Sequence, residues 1–308
     1  MEAEHVRTRD ELPVWVLLVA PFVIIGLLLA LGFAAYVTID FNWLAAEGTT
    51  QILLVMTVIG FIAGVLPVLV GMLWFPLFQQ LDARWIHAVL AFSAGLLTFI
   101  AIEMASEAGG YALQTGTPAL AGGSAIAAAL ATMAAMELVS RWRERKTAGF
   151  EDQGLTVAYL VAIGLGLHSI GEGLAIGASF VSGEMGLVVL FAIGFIMHNV
   201  TEGPAVIAAL ARERVGPPLR HFFVLGLLAG GGVIVGGWIG TFAYTPWSAT
   251  LFFAIAAGAI VQVTWEMFDL VRTDVAQVFD RRIVIAFIFG VFTLFFLEEI
   301  VVEGWMGL

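Results

Sequence analysis

The chain has 308 residues, of which 61% are hydrophobic and only 12% are charged, and its formal net charge is -11. Soluble domains carry about twice that share of charged residues, so a soluble enzyme, a nucleic-acid-binding protein and a disordered protein are excluded. The chain has no cysteine, which excludes disulfide frameworks and thiolate metal sites. This composition predicts an integral membrane protein that contacts the lipid bilayer and binds no nucleic acid.

Nine continuous apolar stretches are long enough to cross a bilayer, which takes about 20 residues in a helix. None alternates as a transmembrane β-strand does. The predicted fold class is therefore all-α, a polytopic membrane protein with nine transmembrane helices. The first helix, residues 13–38, follows a cytoplasmic N-terminal segment, residues 1–12. The other eight lie within residues 50–308, at 52–76, 86–106, 118–139, 155–181, 186–211, 219–243, 247–270 and 283–302.

The basic residues indicate the orientation. All 13 lie before the first predicted helix, or in or directly beside every second connection after it, and the run 141–146 is predicted to be a loop at the lipid headgroups. By the positive-inside rule, the N-terminus is cytoplasmic and the C-terminus lies outside. The connections on the other side contain no Lys or Arg, and their acidic residues are Asp40, Glu47, Glu107, Glu184 and Glu303.

The fifth and sixth helices share the pattern H-x-x-x-E-G-x-A-[IV], which recurs after 30 positions. It places His168 with Glu172, and His198 with Glu202, and residues four apart lie on one face of a helix. If the two helices pack face to face, two imidazoles and two carboxylates meet, a donor set suited to Zn²⁺ and also to Fe²⁺, Mn²⁺ or Co²⁺. A bound cation would also offset the cost of about 2.5–3.5 kcal/mol for each carboxylate at mid-bilayer.

Glycine and proline add to this pattern. Pro204 cannot donate a hydrogen bond to the Val200 carbonyl, so a backbone oxygen is freed near Glu202. Irregular backbone of this kind lines the substrate cavity of many transporters, whereas small residues also let helices pack closely. Both interpretations stay open for the glycines of the fifth helix, which are Gly164, Gly166, Gly171 and Gly173.

These two H-x-x-x-E-G segments resemble the metal-site helices of the ZIP (Zrt/Irt-like) divalent metal transporters. The resemblance covers about residues 50–305 as an eight-helix core, in which segments 91–95 and 256–259 are similar to the small-residue-rich second and seventh helices. The first helix is similar to an addition found in some bacterial members, which implies a prokaryotic inner or plasma membrane. The resemblance implies metal ligation by His168, Glu172, His198, Asn199 and Glu202. Ser169, Glu103 and Glu266 are candidates for the path, and the alternative for the two carboxylates is a bond to a neighbouring helix.

The chain departs from the ZIP pattern at several positions. Ser169 replaces the usual Asn of the first motif, and Gly171 and Thr201 replace the two prolines. Many members have a Glu in the next helix, but no carboxylate occurs here between Glu213 and Glu266. The site with two His and two Glu is therefore complete, whereas the second metal site of the family is depleted.

The resemblance implies transport of a divalent metal toward the cytoplasm by alternating access, with one helix group sliding against another. The metal, with Zn²⁺ favoured over Fe²⁺, Mn²⁺, Co²⁺ and Cd²⁺, is then the substrate, and neither enzyme activity nor a cofactor is expected. Two alternatives stay open: a membrane b-type cytochrome with two axial histidines, and an intramembrane metalloenzyme with a Glu base. The sequence leaves the oligomeric state undecided, with a homodimer among the alternatives.

Overall fold

A computed structural model describes residues 48–73, 83–147, 154–207, 217–274 and 280–297, and three isolated positions. These residues form helices and no strand, so the all-α prediction is confirmed for this part of the chain. Seven of the described helices are long and apolar enough to cross a membrane. The predicted first helix lies outside the described residues apart from positions 23 and 26, and the count of nine stays a prediction.

We number the eight described helices in chain order, so that α1 corresponds to the second predicted helix. The final one, α8, has 17 residues. Their bounds are α1 Thr49–Met72, α2 Ala83–Leu113, α3 Pro118–Thr147, α4 Gly154–Ser182, α5 Met185–Ile207, α6 Leu219–Phe242, α7 Pro246–Asp274 and α8 Arg281–Leu297.

Two helices extend well past their predicted ends. Hydropathy marks the part of a helix that lies in lipid, whereas the helix itself can continue into polar sequence. The 31 residues of α2 span about 46 Å, against a hydrocarbon core of about 30 Å. In α3 the helix runs through Thr147, so the prediction of a loop at 141–146 was wrong, and Arg141 instead pairs with Glu137 one turn earlier.

The eight helices pack into two groups, one formed by α1, α4, α5 and α6, and the other by α2, α3, α7 and α8. Within each group, backbones touch. A Cβ at Gly236 of α6 would overlap the Ile170 carbonyl oxygen of α4, and a Cβ at Gly290 of α8 would overlap the Phe92 carbonyl oxygen of α2. Contacts this close let helix backbones pack without intervening side chains, so each group is a tightly packed unit.

The glycines of the predicted fifth helix, now α4, serve this packing. Those at 166 and 173 leave no room for a Cβ beside the α6 backbone, and Gly171 lies against Ala256 of α7. The oxygen freed by Pro204 is also covered, because a Cβ at Gly71 of α1 would overlap the Val200 carbonyl. Close packing therefore explains these residues, and the freed oxygen contacts α1.

Large side chains fill the boundary between the two groups. Phe191 and Phe195 of α5 are fully buried and pack in one apolar cluster with Phe253 of α7 and Leu96 of α2. The rings of Phe191 and Phe253 lie 6.2 Å apart between centroids. The polar residues of the repeated pattern lie on α4 and α5, which both border this boundary.

Candidate metal site

The two His–Glu pairs meet between α4 and α5. Glu202 Oε1 lies 3.0 Å from His168 Nε2 and 2.9 Å from His198 Nε2. The ligand atoms of these three residues all lie within 4.8 Å of one another. All three side chains are buried, and so is Glu172. The face-to-face packing expected from the repeated pattern therefore places a carboxylate oxygen between two imidazole nitrogens.

Glu172 and Asn199 form the edge of this cluster. Glu172 Oε1 lies 3.7 Å from His168 Nε2, and Asn199 Nδ2 donates to Glu172 Oε2 at 3.3 Å. The same amide nitrogen donates to the Ala63 carbonyl of α1 at 2.9 Å. Ala63 belongs to a π-helical segment, Phe61–Val65, and such segments occur frequently at functional sites.

Three buried oxygens of the cluster lack a hydrogen-bond partner among the described residues, namely Glu172 Oε1, Glu202 Oε2 and Asn199 Oδ1. Buried polar atoms in proteins nearly always have a partner, and a buried carboxylate without a counter-charge costs several kcal/mol. Within the described ranges, the ion pairs of these two carboxylates are with the two histidines and with no Lys or Arg. A divalent cation would supply both the missing charge and the missing partners.

The spacing suits a small cation better than a haem. Tetrahedral ligands about 2.0–2.1 Å from Zn²⁺ lie about 3.4 Å from one another. The observed separations of 2.9 and 3.0 Å are a few tenths of an ångström shorter, so a metal needs only a small expansion of the cluster. A haem with two axial histidines needs a porphyrin between the imidazoles, where Glu202 Oε1 lies instead.

The predicted path residues occupy different places. The Ser169 hydroxyl lies 3.0 Å from the carbonyl oxygens of both Leu165 and Ala229, so it contacts the backbone of α4 and α6. Glu103 is half-buried on α2. It lies ten residues, or about 15 Å along the helix, from Ser93, the α2 residue whose hydroxyl contacts His198. The Ser169 hydroxyl and the Glu103 carboxylate are therefore not part of the cluster. The roles of Ser169 and Glu103 in the path stay predictions.

Glu266 is linked to the cluster through a small pocket. Glu266, Gln262 and Arg143 line this pocket together with His168. Gln262 Nε2 donates to Glu266 Oε1 at 2.9 Å, and Arg143 Nη2 lies 3.6 Å from Glu266 Oε2. A small pocket therefore lies between His168 and Glu266, lined by these polar groups and by apolar side chains of α3, α4 and α7.

Two hydroxyl groups at the site had no distinctive signal in the sequence. Ser93 of α2 contacts His198 Nδ1 at 2.8 Å and Thr201 Oγ1 at 2.9 Å. Serine and threonine are common in helices, where their hydroxyls usually bond to a carbonyl three or four residues earlier. Only the packing of α2 against α5 distinguishes Ser93 from other helical serines.

No protein-family model matches the chain, and no curated protein sequence is significantly similar to it. The resemblance to ZIP transporters therefore depends on the repeated pattern, and membership of that family stays a prediction. The chemistry of the site does not depend on that resemblance. Its nitrogen and oxygen donors are buried, and among the described residues no Lys or Arg balances its two carboxylates.

Proposed function

We propose that this protein is a membrane transporter of divalent transition-metal cations, similar in mechanism to the ZIP family, with Zn²⁺ as the favoured substrate. The observation that supports it most strongly is the buried cluster in which Glu202 Oε1 lies 3.0 and 2.9 Å from two imidazole nitrogens. Two nitrogens and carboxylate oxygens form a donor set typical of Zn²⁺ sites in proteins. The protein is then a transporter rather than an enzyme, and the metal is its substrate.

The chemistry of the cluster suits reversible binding. A 2.9 Å contact between His198 Nε2 and Glu202 Oε1 requires a proton between the two atoms. Metal ligands must be deprotonated, so a cation that binds here releases that proton. Loss of the metal returns the proton to the same two atoms, which offsets part of the charge that the departing cation had balanced.

The arrangement of helices supports movement of the site. All five predicted ligands lie on α4 and α5, which belong to one helix group, and the other group contributes the facing wall. Backbone contacts hold each group together. Side chains fill most of the boundary, where one close backbone approach joins Gly171 of α4 to Ala256 of α7. We infer that the group with the ligands slides against the other group, which exposes the metal to one side of the membrane at a time.

The pocket beside His168 supplies the inner part of the route. It is lined by Glu266 and Arg143 near the C-terminal ends of α7 and α3, the ends predicted to be cytoplasmic. The Glu266 carboxylate is the first ligand that a released cation would meet. In the metal-free protein the guanidinium of Arg143, 3.6 Å away, balances the charge of this carboxylate. Metal would therefore leave toward the cytoplasm.

Zinc uptake tests the proposed function. Proteoliposomes that contain the purified protein and a zinc-sensing dye should take up Zn²⁺, and liposomes without protein should not. Excess Co²⁺, Cd²⁺, Fe²⁺ or Mn²⁺ should slow zinc entry in proportion to its affinity for the site. The same proteoliposomes can be loaded with each of the other four metals in turn and their metal content measured after washing. Absence of protein-dependent uptake for all five metals would contradict the proposal.

The orientation predicts a simple labelling result. The chain has no cysteine, so each introduced thiol is unique. Thr117 and Lys146 are exposed at opposite ends of α3. Thr117→Cys should react with a membrane-impermeant maleimide on intact cells, and Lys146→Cys should react only after permeabilisation. The reverse pattern would overturn both the cytoplasmic N-terminus and the inward direction of transport.

The site predicts one tightly bound metal per chain. The three closest donors surround a single position, and Asn199 already uses its amide nitrogen on Ala63 and Glu172. Elemental analysis of protein loaded with Zn²⁺ and then desalted should give one zinc per chain. Two retained ions would show that Asn199 Oδ1 and Glu172 build a second site, contrary to this expectation.

A further inference from the structure

A serine from the opposite helix group reaches the predicted ligand His198. Ser93 is fully buried on α2, and its hydroxyl oxygen lies 2.8 Å from His198 Nδ1 and 2.9 Å from Thr201 Oγ1. Both partners are on α5. Ser93 is therefore a direct polar link between the group without ligands and the metal-site helix.

The number of protons available decides the direction of each hydrogen bond. The Thr201 hydroxyl donates to the His198 carbonyl oxygen at 2.6 Å, because a carbonyl can only accept. A hydroxyl has one proton, so Thr201 Oγ1 must accept the proton of Ser93. The Ser93 oxygen must then accept from His198, whose Nδ1 is the donor.

This chain of bonds selects one tautomer of His198. With one proton on Nδ1, the lone pair that a cation would use belongs to Nε2, the atom that shares a proton with Glu202 Oε1 at 2.9 Å when no metal is bound. A metal-binding histidine typically donates its other N–H to a neighbouring acceptor, which fixes the ring and raises its basicity. Ser93 provides that acceptor, and Thr201 holds the serine hydroxyl in place.

We propose that Ser93 is a positioning residue of the metal site, contributed by the helix group that has no ligands; this rests on the proposed function. Ser93 holds the His198 ring with Nε2 available to the cation only while the two groups keep this arrangement. Sliding of the groups would break the bond to Nδ1 and lower the affinity of the site. Ser93 thereby links metal affinity to the position of the moving group.

The test compares two buried serines. Ser93→Ala removes the acceptor for His198, and partners of this kind typically contribute about 10–100-fold to metal affinity, so zinc binding at equilibrium should weaken by that factor. Ser179→Ala is the matched control, because Ser179 is equally buried and its hydroxyl donates to Ala175 of its own helix. The control should bind zinc like the parent.

A double-mutant cycle separates positioning from a general structural effect. In a His198→Ala background, Ser93→Ala should cause no further loss of zinc affinity, because interacting residues are not additive. In ¹⁵N-histidine NMR spectra of the metal-free protein, Ser93→Ala should also shift the His198 Nδ1 resonance away from that of a hydrogen-bonded N–H, whereas Ser179→Ala should not.

Three results would overturn the proposal. Ser93→Ala could bind zinc like the parent, it could lower zinc affinity equally with and without His198, or Ser179→Ala could lower zinc affinity as much as Ser93→Ala does. Failure of the proposed function has a different signature, because the parent itself would then take up no zinc. The binding comparison above still applies if the parent binds zinc without transporting it. The remaining case is a parent that binds no zinc at all. In that case the NMR comparison still decides whether Ser93 sets the tautomer, and an unchanged His198 signal in Ser93→Ala rejects the hydrogen-bond chain as well.

Discussion

His168→Ala and Glu202→Gln should each abolish zinc uptake while the protein still folds. His168 supplies one of the two imidazoles, and Glu202 Oε1 is the atom shared by both. Neighbours of metal ligands already contribute about 10–100-fold to affinity, so loss of a ligand should exceed that range. Folding should survive because each helix satisfies its own backbone hydrogen bonds in lipid. The measurements are zinc uptake in proteoliposomes and elution volume in detergent.

Matched substitutions away from the cluster serve as controls. His221→Ala removes a histidine that bonds to Tyr159, and Glu137→Gln removes a carboxylate that pairs with Arg141. Both should transport zinc at nearly the parental rate. If His168→Ala and Glu202→Gln inserted normally and transported like these controls, the repeated pattern would serve packing and the proposed function would lose its support.

Gly236→Val should prevent the formation of the folded protein. A Cβ at this position overlaps the Ile170 carbonyl oxygen and lies 2.8 Å from Leu174 N, so α4 and α6 would have to separate. Overpacking of a core typically costs about 1–3 kcal/mol, and backbone against backbone leaves no flexible side chain to yield. Because α4 carries His168, the proposed metal site should be lost too. The measurement is the yield of monodisperse protein and its melting temperature in detergent.

Gly123→Val is the control for this substitution. A Cβ at Gly123 of α3 meets no atom within 4 Å, so the same valine should have little effect on yield or melting temperature. A melting temperature for Gly236→Val equal to that of Gly123→Val would mean that α4 and α6 are not packed backbone to backbone.

Much of the fold followed from the sequence because lipid imposes simple rules. A membrane-crossing helix must be long and apolar, so the described helices lie where the hydropathy predicts them. The repeated His–Glu spacing placed each pair on one helix face, and a buried carboxylate between two helices needs a partner. These local rules were enough to predict that His168, His198 and Glu202 meet.

Contacts between distant helices could not be predicted in the same way. Ser93 lies 105 residues before His198, and the Ala63 carbonyl lies 136 residues before Asn199. Neither has a sequence pattern, because any hydroxyl or carbonyl can occupy such a place once the backbones are close. The chemistry of Pro204 predicts that the Val200 carbonyl oxygen is freed. That Gly71 contacts this oxygen could not be predicted, because the contact depends on how α1 packs.

The zinc-edge X-ray absorption spectrum of the metal-loaded protein tests the central claim, that the buried cluster binds a divalent cation. We predict a four-coordinate zinc with two imidazole nitrogens and carboxylate oxygens at about 2.0–2.1 Å. His168→Ala should lose one imidazole from this spectrum or release the zinc. A zinc ion surrounded by water oxygens alone, or a spectrum unchanged in His168→Ala, would contradict the account.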